Sequence, residues 1–371
     1  MRSLRISLIF AIFCGLVAPS VVAQSLPSSP NDRARLLAAL PLADASPLKK
    51  FARLPAYERT AGLLNAKWQE VQEKRWKAMT SWVGTEVRPH INARLPLLYM
   101  FGGPDFLSAH LLYPDAPRYI LCGLEAIGRV PEMEPWNDEK VTEALDMVGA
   151  VLKPALDQGF FITSEMGGNL LKSGAYGVLP FLCVFTVRTG NTITNVQYVT
   201  IDEAGGIHTL SGDDPVKAGA KGVRVTFVRD KGAAPQELYY FRTDLSDKGI
   251  ASDKRFLLFL GNLGRANTYL KAAQCLMHTK DFSQIRDFLL GRSATILQDD
   301  SGIPYHALDP AQWAITLYGN YIGPIQSIAW AEQPELRKAY AVPGAARPLT
   351  FKSGYGSQNR ANLQFAIRNS K

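Results

Sequence analysis

The chain has 371 residues, with 41 Lys and Arg against 33 Asp and Glu, and a formal charge of +8. Its basic excess is dispersed, densest at Lys49-Lys50 and Lys74-Arg75, and forms no basic stripe with interleaved aromatics, which argues against a nucleic-acid partner. The length allows one large domain or two intimately packed ones.

Arg2 and Arg5 precede an apolar run, Ile6 to Val17, and a small-residue site ending at Ala23. That order predicts a signal peptide over residues 1–23 and an exported product, periplasmic or secreted. No later stretch approaches the roughly 20 apolar residues of a membrane span, so no transmembrane segment is expected after cleavage. At most, the charge supports weak attraction to an anionic envelope surface. The partner expected is an unknown small molecule or envelope component. Beyond the leader, Cys122, Cys183 and Cys275 sit in apolar company (YILCGL, PFLCVF, AAQCLM) and read as buried thiols, with one bridge as the alternative. The absence of C-x-x-C removes cysteine zinc sites and thioredoxin chemistry.

Residues 24–56, rich in Ser, Pro and Ala, read as a flexible leader with a helical patch over Asp32 to Leu40. A helical arm is expected over 57–96. In it, Ala61, Leu64, Trp68, Val71, Met79 and Val83 recur at helical spacing, and Trp68, Trp76 and Trp82 read as core rather than a ligand box. Residues 97–177 form the expected α/β core: a strand at Leu97 to Phe101, a break at Gly102-Gly103-Pro104, a helix from Asp105 to Tyr113, and a strand from Tyr119 to Leu124. A further helix from Asp138 should stop before Pro154, and another should run from Ala155 toward Leu171.

In 178–245 the period switches to two. Strands are expected at Val178 to Arg188, Thr192 to Asp202, Gly222 to Arg229 and Glu237 to Thr243, joined as antiparallel hairpins through Gly205-Gly206, Gly212 to Pro215 and Lys231-Gly232. Residues 246–371 close the unit. There, Phe256 to Leu260 reads as a strand and Gly261 to Met277 as a helix. Asp281 caps a helix over Phe282 to Leu290 that Gly291 stops. Ala294 to Leu297 reads as a strand, and Asn362 to Arg368 as a strand or short helix. Tyr318, Tyr321 and Trp330 look exposed in an aromatic tail. The fold expected over 57–371 is a single α/β unit. It has a mixed, mostly parallel sheet with helices on both faces, an antiparallel hairpin extension and a helical N-terminal arm.

Familiar catalytic signatures are absent: no G-x-S-x-G, no H-E-x-x-H, no Walker A loop and no full G-x-G-x-x-G. His90, His110, His208, His278 and His306 are scattered, and no metal site or cofactor is identified. Two groups of residues remain as site candidates. In the first, Gly102 and Gly103 follow a strand, Asp105 opens a helix, and Glu125 ends the next strand about 20 residues later, where an acid can hold a ribose. Pro104 removes one amide and a third glycine is missing, and Asp105 is equally a helix cap.

The second group is Asp299, Asp300, Ser301, Tyr305 and His306. Adjacent acids after a strand can give one carboxylate to a pocket, though Asp300 and Gly302 also suit an Asx-turn. Ser301 with His306 is a possible nucleophile and base. Meeting in space, the two groups would converge three or four carboxylates for acid/base hydrolysis or a hard cation.

The segments FGGPDFLSAHLLYPDAPRYILCGLEAIG, ILQDDSGIPY and LYGNYIGPI, with Pro348 to Tyr355, resemble an uncharacterised family of exported bacterial proteins. The resemblance spans residues 57 to 368 and implies bacterial export and one coherent unit. It carries over no catalytic residue. The reading favoured by the acids is a periplasmic hydrolase using Asp105, Glu125, Asp299 and Asp300. Alternatives are a non-catalytic envelope binding protein and a nucleotide-using enzyme.

Overall fold

Leu97, Leu98 and Tyr99 form β1 (Leu97–Tyr99), the strand on which the sheet is centred. Successive side chains of a strand point to opposite faces, and here both faces are covered. Leu97 and Tyr99 join one buried cluster, and Leu98 joins the other. The coordinates are a computed structural model that describes residues 27–159, 177–211, 219–230, 232–355 and 360–369. The expected signal peptide with its site at Ala23, the Gly212 to Pro215 turn and most of the helix expected beyond Ala155 lie outside the described residues.

The remaining strands, in chain order, are β2 (Arg118–Gly123), β3 (Thr192–Ile201), β4 (Ile207–Thr209), β5 (Gly222–Val228) and β6 (Gln236–Arg242). They continue with β7 (Ala266–Leu270), β8 (Ser293–Gln298), β9 (Trp313–Gly319), β10 (Ala346–Arg347) and β11 (Asn362–Arg368). All lie in one sheet, ordered β10-β9-β11-β8-β7-β1-β2-β6-β5-β3-β4. The central run from β8 to β6 is parallel throughout. On one side β5, β3 and β4 extend it as the expected antiparallel hairpins. On the other side β11 runs antiparallel to both β8 and β9. The sheet is therefore mixed, and apart from the short parallel pair of β9 and β10 at one edge, "mostly parallel" describes only its centre. From β1 the chain steps outward to β2 and β6, then returns to β7 and β8 on the opposite side. Strand order thus reverses between β1 and β7, and such a reversal opens a crevice at the carboxyl ends of the strands.

Ten α-helices are present among the described residues. The first, α1 (Pro30–Leu37), buries Ala34, Leu36 and Leu37, and Phe51 is buried nearby. The described part of the expected flexible leader is therefore packed structure. Next, α2 (Pro55–Val71) starts on a proline, which suits a first turn. It passes through a π turn at Gln72–Trp76 into α3 (Lys77–Trp82), and a second π turn follows at Val83–Val87. Then come α4 (Phe106–Leu112) and α5 (Asp138–Gln158). Pro154 lies inside α5 rather than stopping it, and Gly159 ends the helix at φ 83°.

Three expectations fail in the second half. Leu179–Arg188 is a helix, α6, not a strand. Every residue from Leu179 to Val187 is buried, and a run apolar all round gives no periodicity by which to tell a helix from a strand. After α7 (Asp247–Ser252), the expected strand at Phe256 to Leu260 lies in α8 (Arg255–Asn262). There Phe256, Phe259 and Leu260 face inward at helical spacing while Leu258 is exposed. The helix expected over Gly261 to Met277 is instead β7 followed by a 3-10 turn. Asn267 and Thr268 hide that strand's character, because their polar side chains are buried and bonded to Thr295 and Ser293 of β8. Asp281 falls in a 3-10 turn ahead of α9 (Ser283–Arg292), whose N-cap is Phe282 and which runs one residue past Gly291. The last helix is α10 (Pro334–Ala341).

Candidate functional site

A cleft opens at the crevice between the carboxyl ends of β1 and β7. Arg75, Asp105, Ser108, Gln158, Lys271 and Lys352 give it polar groups, with Trp76, Phe185 and Tyr269 among its apolar walls. It has about 30 Å³ of interior space.

Its centre is an ion pair between β1's loop and the end of β7. Asp105 caps α4, its Oδ1 accepting from the Ser108 amide at 3.1 Å. Its Oδ2 accepts from Tyr99 Oη at 3.0 Å and from Lys271 Nζ at 2.6 Å. Lys271 Nζ also donates to Ser108 Oγ at 2.9 Å and to the Gly159 carbonyl at 2.7 Å. An ammonium has three donors, and all three are engaged. Both partners are buried. Burial, and then the Asp105 charge, hold the Tyr99 and Tyr269 hydroxyls well above the ordinary tyrosine range, so both remain neutral.

The π turn ahead of α3 carries Arg75 and Trp76 to the opposite wall. Arg75 Nη2 donates to the Leu156 carbonyl at 2.8 Å, near the end of α5. Burial lowers the Arg75 pKa. Lys352 comes from the chain between β10 and β11, and burial followed by the Arg75 charge lowers its pKa too.

The expected site residues divide into three places. Gly103 and Glu125 are neighbours, as their spacing implied: a Cβ on Gly103 would lie 3.7 Å from Glu125 Oε1. Gly102 passes directly over the Tyr99 ring, leaving no room for a side chain. Glu125 accepts from Tyr240 Oη at 3.0 Å and is not among the residues lining the cleft. The amides that a phosphate would need are spent. Gly103 N–H donates to the Cys122 carbonyl at 3.2 Å and Asp105 N–H to the Gly102 carbonyl at 3.2 Å.

Asp299, at the end of β8, lies behind Gly354 of the cleft wall, and a Cβ on that glycine would collide with its Oδ2. It accepts from the Ala272 amide at 3.2 Å, the Ser301 amide at 3.0 Å and Ser301 Oγ at 2.5 Å. Burial, and then Asp300, push its pKa up. The turn is therefore built on Asp299 and not on Asp300 as expected. Asp300 turns to Asn362 Nδ2 at 2.9 Å.

Ser301 Oγ donates to Asp299 and, among the described residues, makes no bond to His306. Tyr305 donates its amide to Gln333 at 2.7 Å, and His306 shares its short 3-10 turn. Of the four candidate acids, Asp105 lines the cleft and Glu125, Asp299 and Asp300 do not. Among the described residues no group of three or more His, Cys, Asp or Glu is placed to hold a metal ion. Cys122, Cys183 and Cys275 are free and buried.

Sequence reasoning missed Arg75, Ser108, Gln158, Lys271 and Lys352. Lys271 carried a signal, a single cation inside the apolar run from Tyr269 to Ala273, but the run was read as a helix. The other four are ordinary polar residues in segments far apart in the chain. No family model, curated protein or solved structure matches this chain.

Proposed function

We propose that the protein is an exported binding protein that holds a small molecule in the cleft between β1 and β7. One observation carries this: each candidate acid is bonded to its own neighbours, Asp105 as cap and ion-pair partner, Asp299 as turn former, Glu125 to Tyr240 and Asp300 to Asn362, while the cleft sits where strand order reverses. Helices on both faces of the sheet belong to the same reading. The two buried clusters support it, since α1 to α6 contribute to one and α7 to α9 to the other. Arg2, Arg5 and the apolar run ending near Ala23 support export, and a chain recovered from the periplasm beginning at Gln24 would bear it out.

Trp76 lines the cleft and reports on it. Titrating the protein with carboxylic acids, inorganic phosphate, amines and neutral sugars should give a saturable fluorescence change with at least one class, lost in Trp76→Phe. A flat response to all four overturns the reading.

Hydrolysis is a second reading, favoured by Ser108 Oγ standing 2.9 Å from Lys271 Nζ at the cleft wall. Here Ser108 is the nucleophile and Lys271 the base, which takes the serine proton only after its ammonium has given one up and released its bond to Ser108. Asp105 is a positioning residue that holds Lys271. Loss of esterase activity in Ser108→Ala with unchanged cleft binding would support it. Activity surviving in that variant would remove it. The envelope-binding motive from the aromatic tail is reduced to Trp330, which is 55% exposed, because Tyr318 and Tyr321 are buried. A nucleotide reading draws no support from Gly103, whose amide is already bonded.

A further inference from the structure

Three cations line the cleft, Arg75, Lys271 and Lys352, against one carboxylate, Asp105. Lys271 and Asp105 neutralise each other at 2.6 Å, which leaves Arg75 and Lys352 as the excess among the lining residues. Asp157, outside the lining, acts on both but is itself paired with Lys67 and Lys153. Arg75 spends one bond on the Leu156 carbonyl, at the negative end of α5, and a guanidinium has five N–H donors. Among the described residues Lys352 forms no ion pair. Like charges in a partly buried cleft repel and lose hydration. Burial lowers the pKa of both groups, and for Lys352 the Arg75 charge lowers it further. A fold tolerates such a pair at low cost when an anion joins it.

Two more features define that anion. About 30 Å³ of interior space admits only the polar head of a small ligand. Gln158 Oε1, also in the cleft lining, is buried and accepts no hydrogen bond among the described residues. An amide oxygen accepts an N–H or O–H.

We infer that the cleft seats the carboxylate of a small organic acid on Lys352 and Arg75. The acid also bears a hydroxyl or amino group, which donates to Gln158. This rests on the binding reading above and adds the ligand's chemistry to it.

Calorimetric titration of the full chain with acetate, lactate, inorganic phosphate, ethylamine and glucose tests it. The expected result is saturable binding of acetate, tighter binding of lactate, and at least tenfold weakening of both in Lys352→Met. Lys352→Arg should restore binding, and Lys338→Met, on α10, should leave it unchanged. A melting temperature near that of the parent chain shows that Lys352→Met is folded. Should that variant fail to fold, Lys352→Arg and Gln158→Leu carry the test, the latter removing the preference for lactate over acetate. Binding of phosphate without acetate overturns the carboxylate. Binding of glucose or ethylamine alone overturns the anion seat and leaves the binding reading standing. Silence toward all five, with no Trp76 response, overturns both.

Discussion

Asp105 shows how one residue takes a structural role that its sequence position left open. As a bare acid after a strand it was a candidate base, but its two oxygens accept three bonds and it faces a buried ammonium. Removing one partner of a buried pair leaves an uncompensated charge and costs about 3–5 kcal/mol. Asp105→Asn should therefore lower the urea midpoint strongly, and the double variant Asp105→Asn/Lys271→Met should recover part of the loss. Additive losses would show that the two residues are not coupled.

His110 makes a second prediction at this scale. Burial, and then Arg229, lower its pKa to about 4, and its Nε2 lies 3.2 Å from Asn191 Nδ2. The unfolded chain takes up that proton near pH 6.5 and the folded chain only near 4. This contribution is thus fully present above pH 6.5 and is lost as pH falls toward 4, by about 3 kcal/mol. Urea midpoints across that window should fall less steeply in His110→Gln than in the parent chain.

At the scale of elements, the π turn at Gln72–Trp76 and the end of α5 together place the cation wall. Gly159 ends α5 at φ 83°, and a Cβ there would lie 2.8 Å from Arg75 Nη1. Gly190 has φ 84° with nothing within 4 Å of the same atom. Both Gly→Ala changes cost about 1 kcal/mol for the left-handed backbone. Gly159→Ala should cost more, by displacing Arg75, and should also weaken acetate binding. Equal melting temperatures and equal affinities would show that Arg75 adapts freely.

The same scale explains which elements the sequence revealed. The unit β1–α4–β2 was legible because short apolar runs met Gly, Pro and an Asp cap at the right points. Leu179 to Val187 was not, because a segment buried all round has no face to betray its period. Nor was β7, where Asn267, Thr268 and Lys271 are polar residues buried only because β8 and α4 supply their partners.

For the whole molecule, β1 feeds both buried clusters, so neither can be lost without breaking the centre of the sheet. Unfolding followed by tryptophan fluorescence and by far-ultraviolet circular dichroism should therefore give coincident transitions. The thiols offer a third probe. Burial pushes Cys122 and Cys183 up to about 12 and raises Cys275 as well. A thiol reagent should label none of them before that transition, and early labelling of one would mark a separately opening part.

The sequence by itself determined what short-range physics decides. It set the mixed α/β class, the hairpin extension, the capped α4 and the apolar setting of the three cysteines. Alternation, turn residues and caps act over a few positions and can be read there. The tertiary structure alone decided the cleft. Arg75, Asp105, Lys271 and Lys352 belong to four elements, and no spacing along the chain encodes that one pair is neutralised while two cations remain. Charge pairing depends on distance through space and on burial, and both exist only once the strand order has reversed between β1 and β7.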